Sequence, residues 1–231
     1  MKLILEKLIR LTKNDPNYKV DNLIPFRSVL VIVIGRFFSL LIGTIYQILR
    51  LKIPITLFMA SSARISHSHM LTLTGTTTIG ASVKIDCLSI DGVKLGHNVS
   101  IPSGTFIRCT GVVSDVGVGL SIGNNTGLGH YNFINAQGGV VIGSDVIVGP
   151  YVSFLAENHR FDDSEMLIRQ QGVSRKGIVI EDNVWIGANV TILDGVEIGE
   201  GTVIGAGSVV TKSIPKNSVA IGSPCKVVKS R

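Results

Sequence analysis

His159 stands in the most polar stretch of the chain, Leu155 to Gly177, among Glu157, Arg160, Asp162, Asp163, Glu165, Arg169, Arg175 and Lys176. Imidazole titrates near neutral pH, so a histidine here has the chemistry of a general base that takes a proton from an attacking hydroxyl. A solvated loop histidine is the plain alternative. Glu157 lies two residues earlier, on the same side of an extended chain. It reads either as an orienting partner for the imidazole or as an ordinary surface acid. The other histidines carry weaker signals. His67 and His69 alternate, a faint metal pattern at most. His97 and His130 follow Gly96 and Gly129 and read as polar corner residues. His130 also neighbours Asn132, Asn135 and Gln137, whose hydrogen-bonding groups suit a sugar pocket as well as they suit polar turns. No set of closely spaced ligands predicts a metal site, and no His-x4-His occurs. Cys87, Cys109 and Cys225 lie far apart and none adjoins a histidine, which favours structural thiols over a nucleophile.

The elements that must position these groups are written in a six-residue cadence. Ile180, Ile186, Ile192, Ile198, Ile204 and Val210 fall six apart without a slip, and Val184, Val190 and Val196 keep the beat two residues earlier. Gly187, Gly199 and Gly205 each follow one of the aliphatics. A helix repeats at 3.6 and a strand at 2, so a strict six fits neither alone. It fits short strands joined at corners, three to a coil, with coils stacked at the usual strand spacing and their aliphatics in one column. Glycine after the aliphatic is expected to supply corner angles that a Cβ forbids. The beat starts loosely near Ile65, runs through Leu73, Ile79 and Ile85, and resumes at Leu95, Ile101 and Ile107. A bulge is expected near Ser89 to Gly92, and an irregular connection at Gly111 to Gly119. Ile122, Leu128, Ile134, Ile142, Val148 and Phe154 follow; the beat stops at Leu155 and returns in phase at Ile178. This predicts an all-β parallel β-helix of about seven coils over residues 61–214, with residues 155–177 extruded from one corner. Residues 215–231 follow as a basic tail.

Composition agrees. The chain of 231 residues is 45% hydrophobic but only 6% aromatic, with 26 glycines, which suits a narrow repetitive core. Three scattered cysteines, no CxxC and no cleavable secretory signal point to a reducing, cytosolic compartment. The net charge of +6 is unevenly placed. Residues 1–64 hold ten Lys/Arg against three acids, giving +7, and residues 65–231 hold twelve against thirteen, giving −1. A folded body without basic, aromatic-interleaved surface argues against nucleic acid as a partner.

Residues 1–60 read as a helical hydrophobic segment: an amphipathic helix from Lys2 to Lys13, a turn around Asn14, Asp15, Pro16 and Asn17, and then the apolar run Phe26 to Ile53, closed by Pro54. Arg36 inside the run argues against a simple membrane span. Arg36, Ser39, Gly43, Gln47 and Arg50 recur three or four apart and make a narrow polar stripe. Two readings stand side by side: a helix lying in an anionic membrane surface, and a helix that caps the coils and packs on a sister subunit.

The cadence, the polar stretch holding His159 and the run Asp182-Asn183-Val184-Trp185-Ile186-Gly187 resemble the hexapeptide-repeat acyltransferases. The closing stretch Gly205 to Lys212, Ile214-Pro215 and Gly222 to Val227 is similar to the galactoside and maltose acetyltransferase branch. The hydrophobic N-terminus is similar to that of the polysaccharide O-acetyltransferases. The resemblance implies a left-handed β-helix and a homotrimer. It also implies an acetyl-CoA donor in a groove between copies and an acceptor sugar or polysaccharide precursor. It makes His159 the catalytic base and places Trp185 along the pantetheine arm, where its outward indole wants a partner. Ala188 and Ala206 match positions where backbone meets pantetheine, and Thr211, Lys212, Lys226 and Lys229 match positions that meet the nucleotide and its phosphates. Lys stands at the two tail positions where relatives often carry Arg, so only point-charge contact is expected there. His130, Asn132, Asn135, Gln137 and Glu157 are set towards the acceptor. The expected function is O-acetylation of a sugar hydroxyl in surface-polysaccharide synthesis, in the cytoplasm or at the inner face of its membrane. Rival acceptors are a free oligosaccharide, an amino sugar or serine; the rival classes are a zinc enzyme on the same coil and a non-catalytic scaffold.

Overall fold

The computed structural model describes residues 2–13 and 15–231, so Asn14 of the expected turn lies outside the described residues. Helix α1 spans Lys2–Lys13 and helix α2 spans Phe26–Ile48. The rest is a three-sided coil of short parallel strands. The second face carries seven of them: Arg64–Ser66, Lys84–Asp86, Phe106–Arg108, Phe133–Asn135, Ser153–Leu155, Thr191–Leu193 and Val209–Val210. The third face carries six, from Leu71–Leu73 to Glu197–Ile198. The first face begins with Leu57–Met59, Thr77–Ile79 and Val99–Ile101, crosses Gly127 by isolated bridges to Ser100 and Ile147, and continues from Ile147–Val148 through Trp185–Ile186 and Val203–Ile204.

The six-residue beat works because pairing is in register from coil to coil. Ile147 pairs Trp185, which pairs Val203, so Val148, Ile186 and Ile204 stack behind them. On the second face Ile107, Ile134, Phe154, Ile192 and Val210 stack likewise, all fully buried. Val184, Val190 and Val196 are buried too, because residues two apart on a short strand point the same way. Leu57 to Ala220 thus form one continuous apolar column.

The glycines have a different cause from the one expected. Gly149 and Gly187 do not adopt left-handed angles. A Cβ on Gly149 would sit 2.6 Å from the amide nitrogen of Ala188, and one on Gly187 2.6 Å from that of Ala206. These glycines are there because stacked corners approach too closely for a side chain. The left-handed corner falls two residues on, at Asn189 (φ 56°), and likewise at Asn183 (φ 57°). Asparagine tolerates that region better than other side chains do.

The end of α2 also differs from expectation. α2 stops at Ile48, short of Pro54, because Gln47 closes the turn. Its amide nitrogen donates to the carbonyls of Gly43 and Ile55, and its oxygen accepts from the amide of Ile55. Gln47 is therefore buried rather than part of an exposed stripe. The basic C-terminal residues close the stack. Ser218–Ile221 joins the first face and pairs antiparallel with Lys226–Ser230, covering the final edge of that sheet.

Candidate active site

His159 leaves the coil at the corner between the second and third faces. Asn158–His159 pairs antiparallel with Val173–Ser174, and the amide of Arg160 donates to the carbonyl of Gly172 at 3.1 Å. The polar stretch is thus an arm with a two-stranded base, not an irregular loop. Its tip is folded on itself: Gln171 Nε2 donates to the carbonyls of Asp163 and Met166, both at 2.8 Å. His159 is exposed on this base. It lines an open cleft of about 670 Å³ together with Asn158, Phe161, Ser174, Lys176 and Leu193. Lys176 and Gly177, where the arm rejoins the coil, donate their amides to Asp194 Oδ1, both at 2.8 Å.

Glu157 is committed elsewhere. Its Oε1 accepts from Gln137 Nε2 at 2.8 Å and its Oε2 from Arg175 Nε at 2.7 Å. Arg175 also donates through Nη1 to Asp115 Oδ1 at 2.9 Å. Burial alone would pull the Arg175 pKa down, but the hydrogen bond and charge of Glu157, and those of Asp115, outweigh it and raise it. This charge-assisted cluster fastens the arm to the irregular connection at 111–119. Sequence reasoning missed Arg175 and Asp115: sixty residues separate them, and no spacing rule links them.

The remaining candidates divide between two edges of the second face. Gln137, Glu157, Thr211 and Lys212 share the His159 corner column. Asn135 points outward from the adjoining strand, and its Oδ1 accepts from the amide of Gln137. His130, Asn132, Ala188 and Ala206 stand at the opposite corner, between the first and second faces. His130 is exposed beside Tyr131, whose ring stacks on Tyr151 at 5.3 Å. Asn132 turns into the coil, where its Oδ1 accepts from the amide of Val152 at 2.7 Å. Trp185 points outward from the first face and is 54% exposed. Lys226 and Lys229 are exposed on the closing strand. One chain therefore does not bring His159 together with Trp185, Ala188 and Ala206.

The other polar candidates are structural. His97 Nδ1 accepts from the amide of Thr76 at 3.3 Å. His67 Nδ1 lies 2.9 Å from Asp86 Oδ1, at the first coils. All three cysteines are buried, and burial pushes the thiols of Cys87 and Cys109 up to about 12, which removes them as nucleophiles. Among the described residues no three His, Cys, Asp or Glu side chains group as a metal site.

Residues 177–212 match the family described as bacterial transferase hexapeptide (six repeats). The chain is 35% identical over 154 residues to WbbJ of Escherichia coli K12, named for O-acetyl transfer in lipopolysaccharide biosynthesis; the match covers 64% of this chain and 77% of WbbJ. It is 39% identical over 117 residues to the galactoside O-acetyltransferase of the same organism, covering 48% of this chain and 56% of that one. Among solved structures, the hexapeptide-repeat acetyltransferase VCA0836 of Vibrio cholerae, crystallised with acetyl-CoA, superposes with a TM-score of 0.50 at 24% identity, covering 70% of each chain. The chain spans about half the length, or less, of several other curated relatives that it matches. A coil of hexapeptide cadence, aligned over three-quarters of WbbJ, makes this chain a member of the hexapeptide-repeat acetyltransferase family.

Proposed function

We propose that this protein is an acetyl-CoA-dependent O-acetyltransferase acting on a sugar hydroxyl in surface-polysaccharide synthesis. In this reading His159 takes the proton from the acceptor hydroxyl as its oxygen attacks the thioester carbonyl. A tetrahedral oxyanion forms, steadied by a backbone N–H. As it collapses, the C–S bond breaks and the imidazolium returns the proton to the departing CoA thiolate, leaving an acetyl ester and free CoA. The observation that carries the proposal is His159 on a braced arm, exposed over an open cleft, in a chain of this family.

The division of candidates between two corners supports a homotrimer. The arm of one copy would meet Trp185, Ala188 and Ala206 of the next, with acetyl-CoA between them and Lys212, Lys226 and Lys229 towards its phosphates. The coil is then a left-handed β-helix of about seven turns, as the seven-stranded face and the family cadence support. Asn135 and Gln137 border the acceptor side in this reading, and use of acetyl-CoA fits a reaction in the cytoplasm. The test is CoA thiol release from acetyl-CoA across a panel of sugars, nucleotide sugars, free oligosaccharides, amino sugars and serine. Release with a hydroxyl-bearing sugar supports the proposal. Release only with an amine or serine redirects it, and failure to bind CoA at all sinks it.

A further inference from the structure

α2 keeps its one interior charge turned onto the coil. The Arg36 guanidinium lies 4.9 Å over the Phe58 ring, and its Nη1 is 3.4 Å from Thr78 Oγ1. Gly43 and Gln47 fall on the same side, and Gly43 rests against the carbonyl of Leu57. The opposite side is a single stripe: Val31, Ile34, Phe38, Leu41, Ile45 and Ile48, spaced three and four apart and all exposed, Val31 at 70% and Phe38 at 56%. From Val31 to Ile48 the stripe runs about 26 Å along the 23-residue helix α2. Its apolar character continues past the helix at Leu49, Leu51 and Ile53.

Cations outnumber acids around the start of this stripe, where Lys7, Lys19 and Arg27 are exposed. Arg50, at its end, is turned onto the coil, stacked on the Tyr46 ring and donating through Nε to Ser68 Oγ. The three acids of the first 64 residues are occupied locally: Glu6 accepts from the amide of Val20, Asp15 from that of Asn17 and Asp21 from that of Leu23. A long apolar face with a net excess of exposed cations at its start suits anionic headgroups over a hydrocarbon layer.

We propose that the N-terminal helices dock this protein on an anionic lipid bilayer, with the Val31–Ile48 stripe in the hydrocarbon region and Lys7, Lys19 and Arg27 at the headgroups. The inference rests on α1, α2 and their charges, and stands apart from the acyl-transfer reading. A protein partner typically covers one flat patch, whereas exposure here extends round the helix to Phe37 and, before the coil begins to cover it, to Ile32 on the Arg36 side.

The test is co-sedimentation of the full chain with vesicles of phosphatidylcholine alone or mixed with phosphatidylglycerol. Binding to the mixed vesicles, weakened by raised salt, is expected. The Phe38→Asp/Ile45→Asp chain should lose binding by more than about tenfold, since aspartate is strongly disfavoured in hydrocarbon. Its thermal unfolding should match the parent, because both residues face away from the coil. The Lys19→Glu/Arg27→Glu chain should bind mixed vesicles about tenfold more weakly. Equal binding by the aspartate variant, or no binding to anionic vesicles at low salt, overturns the proposal. Self-association lost in that variant without vesicle binding would assign the stripe to a second copy, and overturns it too.

Discussion

Arg175 Nε donates to Glu157 Oε2 at 2.7 Å while Nη1 of the same guanidinium reaches Asp115 Oδ1 at 2.9 Å. Both arms of the fork are used, and the guanidinium and the Glu157 carboxylate are mostly shielded, at 18% and 15% exposed. Arg175 directly follows Ser174, the register partner of Asn158, so it braces the strand pair that presents His159. It is a positioning residue. Arg175→Ala should lower kcat about 10- to 100-fold, with a smaller change in KM for acetyl-CoA, because misplacing a catalytic group costs rate more than donor binding. Lysine should restore only part of the loss, since it cannot span both carboxylates in one plane. Steady-state kinetics on the parent and the two variants check this. An equal rise in KM and fall in kcat would indicate general loosening instead.

The close stacking of corners predicts opposite rules for neighbouring residues. Gly187→Ala puts a methyl 2.6 Å from the amide nitrogen of Ala206, backbone that cannot swing aside. It should cost about 1–3 kcal/mol by overpacking. Asn189→Gly, two residues on, relieves a left-handed residue and should be nearly neutral or mildly stabilising. Chemical denaturation of the two variants separates the two causes. Gly187→Ala should be clearly the costlier of the two, and near-parental stability of that variant would contradict the overpacking.

Cys87 and Cys109 stack in the same buried column as Ala136 and Ala156, and burial, with a smaller contribution from the Asp86 charge, pushes both thiols up to about 12. In the folded chain they hold their protons to about pH 12, whereas unfolded thiols release them near 9. Their contribution is therefore intact below pH 9 and declines as pH climbs from 9 towards 12, by up to about 1.4 kcal/mol per pH unit for each thiol. Denaturation midpoints should fall more steeply above pH 9 for the parent than for Cys87→Ala/Cys109→Ala. Below pH 9 neither thiol should react with a disulfide reagent in the folded protein.

Much of the coil is legible because one physical constraint repeats. A residue that points inward at Ile186 must do so again at Ile204, and the sequence carries that cadence on its face. Helix α1 is legible for the same reason. The arm was visible as an interruption, but its strand pairing was not, since Asn158 and Ser174 lack any alternating apolar pattern. His130 shows the main limit. Its distance along the chain suggested proximity to His159, yet a corner is set by phase within the coil, and His130 falls at the other edge of the second face. The Arg175–Asp115 pair depends on two irregular connections meeting in space, which periodicity does not encode.

Trp185 is the only tryptophan and stands half exposed on the first face, away from its own chain's His159. If acetyl-CoA lies between copies, its addition should change indole emission in the assembled protein. Trp185→Ala should raise KM for acetyl-CoA more than it lowers kcat. Mixing His159→Ala and Trp185→Ala chains, denatured and refolded together, should give a fraction of sites with the parent's kcat and KM, which neither variant has alone. Such mixed assemblies contain some sites that pair an intact His159 with an intact Trp185.

The account turns on the His159 imidazole as the base. The most direct measurement is kcat for acetyl transfer, at a pH near 7.5, by the parent and by His159→Ala, with the mutant's acetyl-CoA binding checked in parallel. A loss of about 10²- to 10⁴-fold in kcat with donor binding retained is the predicted result. A His159→Ala chain that turns over within about twofold of the parent would contradict it.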